Sequence, residues 1–175
     1  MTQIRKYRNS RDRTGQCSDD GHGAEVLFKS LIDNLGANAT PSNIEGQFEG
    51  VDLHAFKHYN FDVKARKRKS RKDDSAQDEF IWIEFKNVVG KEGWLYGKAD
   101  YIAFERENDF VVVYRPDLVE ASELLVDLGA NVDKANKALY KGYQRKGRKD
   151  LIAMIKFNDI FLYTNHFILP KCKHM

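Results

Sequence analysis

Apolar residues first recur at helical spacing at Ala24, Leu27, Phe28, Leu31, Ile32 and Leu35, with Gly36 placed to stop the helix they predict. The period then shortens. Residues 51–56 and 61–66 predict two strands joined by a polar turn from Lys57 to Asn60. In FIWIEFK, starting at Phe80, Ile81, Ile83 and Phe85 share one face, and Trp82, Glu84 and Lys86 share the other. YIAFE and FVVVYR predict two more strands around the acidic turn RENDF. Pro116 to Gly129 predicts a second helix, opened by Pro116 and Asp117, with an apolar stripe of Leu118, Val119, Leu124, Leu125 and Leu128. LIAMIKF and IFLYTNHFIL read either as a closing pair of strands or, for the aromatic-rich tail, as a cover over the core or a partner subunit. Residues 67–78 show no periodicity and read as a charged loop. The order helix, strands, helix, strands predicts one α/β domain over residues 22–175. Residues 1–21 are polar, basic and glycine-bearing, and read as a flexible or intersubunit arm.

The chain has 175 residues, 42% of them apolar, which suits one ordinary hydrophobic core. The net charge of +3 is modest, but its distribution is uneven: eight basic residues lie between Lys57 and Lys72 against the single acid Asp62. Further basic clusters run from Arg5 to Arg13 and from Lys134 to Lys149. Such clustering favours a polyanionic partner. Cys17 and Cys172 have no metal-site spacing and imply no disulfide framework. No apolar run has the length of a membrane span, so the expected location is the cytoplasm, a host cytoplasm if the source is viral. There is no HExxH or Cys/His zinc pattern and no GxxxxGK[ST] phosphate loop, which argues against zinc hydrolysis and nucleotide hydrolysis. His54 alternates onto the Asp52 side of its strand and is the histidine best placed to join a site.

Within the basic run, Asp62-Val63-Lys64 puts a carboxylate and an ammonium on the same side of an extended segment. A second acid, Asp52, stands at the start of the preceding strand, and Glu25 lies in the first helix. This ordered set, Glu25, Asp52, Asp62 and Lys64, resembles the active-site pattern of the PD-(D/E)xK nuclease superfamily. The nine residues between Asp52 and Asp62 resemble the spacing in the phage junction-resolving endonucleases. The run WIEFKNVVGKEGWLYGKADYIAFE is similar to a segment of uncharacterised phage proteins of that kind. Val51 replaces the usual proline, and Asp62 the commoner glutamate. A second acid-x-lysine, Glu84-Phe85-Lys86, stays open as an alternative pair, with Glu84 expected near the site in either case.

The resemblance implies an α/β, restriction-endonuclease-like core with a central mixed β-sheet flanked by helices. It further implies a Mg²⁺-dependent deoxyribonuclease, with Mn²⁺ as a substitute, cutting duplex or branched DNA such as a Holliday junction. Asp52, Asp62, Glu25 and the Val63 carbonyl would hold the ion, which suits hard oxygen donors. Lys64 would orient water or balance developing charge. Lys67, Arg68, Lys69, Arg71 and Lys72, with Arg145, Lys146, Arg148 and Lys149, would hold the phosphate backbone. Paired cuts on opposed strands call for a homodimer. The alternatives are a catalytically inactive nucleic-acid-binding or virion-associated structural protein with a nuclease-like fold and, more distantly, a nuclease acting on RNA.

Overall fold

The computed structural model describes residues 16–56, 58–68 and 75–171. Residues 1–15 of the basic arm lie outside them, as do Lys57, Lys69, Arg71, Lys72 and Cys172. In chain order the elements are α1 (Gln16–Asn34), β1 (Thr40–Pro41), α2 (Ile44–Phe48), β2 (Leu53–Ala55), β3 (Tyr59–Lys64), β4 (Phe80–Lys86), a 3-10 turn (Trp94–Tyr96) and β5 (Tyr101–Glu105). There follow β6 (Asp109–Tyr114), α3 (Arg115–Leu125), β7 (Asp127–Val132), a second 3-10 turn (Ala135–Lys137), β8 (Lys141–Tyr143), β9 (Leu151–Lys156), α4 (Phe157–Tyr163) and β10 (His166–Pro170).

Helix α1 carries the expected apolar stripe, burying Ala24, Phe28, Leu31 and Ile32. It starts at Gln16, so residues 16–21, which composition assigns to the arm, are its opening turns. Gly36 ends it as expected. With φ at +80°, it lets its own N–H reach the Asp33 carbonyl (2.8 Å) while the Ala37 N–H reaches Ile32 (3.1 Å). These are the two bonds of a Schellman stop.

The expected single central sheet is in fact two. A six-stranded sheet runs β1-β2-β3-β5-β6-β10, antiparallel throughout except for the parallel pair β3 and β5. A four-stranded sheet runs β4-β9-β8-β7. The FIWIEFK strand leaves the first sheet between β3 and β5 and pairs antiparallel with β9 in the second. Alternation explains the layering. Phe61, Val63, Ala103, Phe110 and Val112 pack under α1, whereas Ile102, Phe104, Val111 and Val113 face the opposite way, toward Ile81, Ile83 and Phe85 of β4, Ala153 and Ile155 of β9, and Leu118 and Ile160 of α3 and α4. Strands β5 and β6 are therefore covered on both faces, which accounts for their unbroken apolar runs.

Two further expectations are corrected. The helix from Pro116 ends at Leu125, not Gly129, because the Asp127 carboxylate accepts the Gly129 and Ala130 N–H groups (3.0 and 3.1 Å) and turns the chain out of the helix into β7. The closing strands do not pair with each other: β9 lies in the second sheet and β10 at the edge of the first. Between them Phe157 and Ile160 bury at helical spacing and form α4 in place of continuous strand.

Candidate active site

Asp62 is the most deeply buried acid of the β2-β3 hairpin, only 2% exposed. It points to the face of β3 opposite Phe61 and Val63, and Lys64, two residues on, points the same way. The Lys64 ammonium lies 2.6 Å from Asp62 Oδ1. Asp62 Oδ2 is enclosed and has no hydrogen-bond partner in the protein. A buried carboxylate oxygen without a donor is costly unless a proton or a cation completes it.

Asp52 enters through the hairpin backbone. Its N–H donates to the Phe61 carbonyl (2.7 Å), and its carboxylate accepts the Val63 N–H (2.7 Å), extending the ladder by one side-chain rung. This fixes Asp52 beside Asp62. Burial is the first cause that lifts the Asp62 carboxyl, to about 7; Lys64 opposes the rise and the Asp52 charge adds to it. Glu25, on α1, is also lifted to about 7, first by burial and then by the Asp52 charge, again against Lys64. Glu25 thus lies within the field of both. His22 stands one turn earlier, its Nδ1 4.0 Å from Glu25 Oε2.

Glu84 arrives from the other sheet. Its carboxyl is raised by burial, opposed by the Trp94 backbone N–H, Lys64 and Arg145. Glu84 and Lys64 are neighbours, while Lys86 is exposed at the end of β4, past a bulge that follows Glu84. Trp94 covers Lys64, with the ammonium 4.8 Å from the ring centroid. Sequence reading missed this residue. Its signal is Gly93, where a Cβ would fall 2.0 Å from the Glu84 carbonyl oxygen, so that the turn carrying Trp94 can press onto β4 only with glycine there. The far end of the same turn is fastened by Lys98, whose N–H donates to the Glu49 carbonyl (2.7 Å) and whose ammonium pairs with the Glu49 carboxylate (2.7 Å).

The structure thus brings Asp52, Asp62, Lys64 and Glu84 near one another, with Glu25 of α1 within the electrostatic reach of Asp52 and Lys64. His54 stays outside, exposed and bonded to Asn60 (2.7 Å). Among the basic residues, Lys67, Arg68, Lys146 and Lys149 are exposed and Arg148 half-buried, whereas Arg145 pairs with the buried Asp150. Tyr140 is held by Asp159. Among the described residues no group of three or more His, Cys, Asp or Glu side chains is set to hold a metal ion, and no helix is long and apolar enough to cross a membrane. No family model, curated protein or solved structure matches the chain.

Proposed function

We propose that this protein is a metal-dependent DNA endonuclease with a restriction-endonuclease-like core, acting on duplex or branched DNA. The observation that carries the reading is the buried, partnerless Asp62 Oδ2 beside Asp52, with Lys64 fixed on the same face. That oxygen and the Asp52 carboxylate beside it are hard donors of the kind Mg²⁺ or Mn²⁺ takes, a pair that further oxygens and water would complete. Asp52 and Asp62 would hold it, with the Val63 carbonyl and Glu25 as further oxygens. When bound, such an ion supplies charge stabilisation on the phosphoryl oxygens and lowers the pKa of a water.

The protein's own groups do the rest. Without metal, Asp62 and Glu25 are lifted to about 7, so each would give up a proton near neutral pH as an ion is taken up. Lys64, held between Asp62 and the Trp94 face, presents a donor to a phosphate oxygen or an attacking water. Exposed Lys67, Arg68, Lys146 and Lys149 supply phosphate contacts that position the backbone without reading sequence. A homodimer would put two such centres on opposed strands.

One observation favours a second reading. The Asp62-Lys64 pair already balances a buried charge, as a non-catalytic nucleic-acid-binding or virion-associated protein with this fold would require. Incubation of end-labelled linear, single-stranded and four-way-junction DNA with Mg²⁺, Mn²⁺ or chelator separates the two. Metal-dependent cutting that disappears in Asp62→Asn is expected; cutting in excess chelator sinks the mechanism, and tight binding without cutting moves the reading to the second, with RNA as the next substrate.

A further inference from the structure

On β4, Trp82 and Glu84 project from the same face, about 7 Å apart along the strand. Glu84 borders Lys64 and Arg145, as its electrostatic surroundings show. Trp82 therefore lies one step outside the carboxylate cluster. Its ring is 6.4 Å from that of Tyr143 on β8, tilted by 48°, so the two rings meet without stacking on each other. Both are only half-buried. The Trp82 indole N–H donates to the Arg68 carbonyl (3.3 Å), a bond at the ring edge that fixes the indole.

The setting is electropositive. The basic segments following β3 and surrounding β8, more than seventy residues apart in the chain, meet at this aromatic pair. Lys67 and Arg68 are exposed on one side, Lys141 and Lys146 on the other. Arg145 and Arg66 contribute less, each being tied to acids: Arg145 to Asp150, Arg66 to Asp78 and Glu107. Half-exposed aromatic rings between lysines match what an unpaired nucleic-acid base requires, a π surface for the base and cations for its phosphates.

We propose that Trp82 and Tyr143 form a stacking subsite for an unpaired base of single-stranded nucleic acid, adjoining the carboxylate-lysine site. This deepens the nuclease reading, on which it rests for the direction in which the strand continues. It gives the site a preference for a strand opened next to the cut, as at a fork, flap or junction, over a closed duplex.

Equilibrium binding in excess chelator tests the subsite whether or not the protein cuts. An oligothymidylate and an abasic strand of the same length and charge are titrated against the unmodified chain, Trp82→Leu, Trp82→Phe, Tyr143→Leu and Tyr143→Phe, with a thermal melt of each. Roughly tenfold weaker binding of the thymidylate by each leucine variant is expected, with the phenylalanine variants close to the parent and the abasic strand indifferent to all four. Equal affinity of the unmodified chain for both strands overturns the subsite. So does an unchanged affinity in a folded leucine variant, or a loss in Trp82→Phe as large as in Trp82→Leu. Failure of cleavage with this pattern intact would count against the nuclease reading alone.

Discussion

Asp62 couples stability to pH in a direction opposite to that of most carboxylates. Its ordinary value is 3.8, that of Glu25 is 4.5, and burial lifts both to about 7. Between these limits the folded chain binds more protons than the unfolded one. The contribution of both groups is complete below pH 4 and is lost as pH rises through 7. Urea unfolding at pH 5 and pH 8 should show a loss of about 3 kcal/mol from Asp62 with a smaller share from the partly exposed Glu25, and Asp62→Asn should remove the larger part of that slope. Cleavage should run the other way, rising between pH 6 and pH 8 as the carboxylates ionise. Lys64→Met should cut the rate by roughly a hundredfold or more with the fold retained, as read by cleavage kinetics beside a melt. Asp62 and Lys64 were legible because a period of two fixes a shared face. Glu25 entered only through the resemblance and Glu84 only as an expected neighbour, and Trp94 was not legible, since its place over Lys64 is set by tertiary packing alone.

At the scale of elements, two glycines separate local from tertiary constraint. Gly36→Ala forces a side chain into the left-handed region with open space around it, and should cost about 1 kcal/mol in urea unfolding without disturbing cleavage. Gly93→Ala drives a methyl group into the Glu84 carbonyl, which cannot yield without moving β4. A loss of about 3 kcal/mol is expected there, together with weakened cleavage as Trp94 lifts from Lys64. An alanine at 93 as benign as the one at 36 would mean that the turn is not clamped. Gly36 was readable as a stop because an apolar helical stripe ran up to it. Gly93 looked like loop punctuation, because its partner carbonyl is on another strand. Strands β3 to β6 were readable from apolar runs, whereas α4 was not: in FNDIFLYTNHFIL the apolar positions satisfy periods of two and of nearly four equally, and packing against α3 decides.

The whole molecule shows why two sheets were read as one. Alternation in FIWIEFK states that one face is buried but not against what, and the parallel pairing of β3 with β5 across residues 65–100 leaves no local trace. Arg68, after β3, and Tyr143 of β8 both meet Trp82 of β4, which brings described parts of two basic segments together. Affinity for duplex DNA should therefore fall linearly with salt on a double-logarithmic plot, and replacing Lys67 and Lys146 together by Gln should lower the slope by roughly two. An unaltered slope places the DNA elsewhere. The parallel pairing has a consequence for synthesis. Asp62 lies against Ile102 in the β3-β5 ladder, so a nascent chain that has passed residue 64 but not 105 carries its acids on an open edge, fully hydrated and ionised. On the proposed nuclease reading, the site would assemble only when the long crossover closes and the second sheet docks.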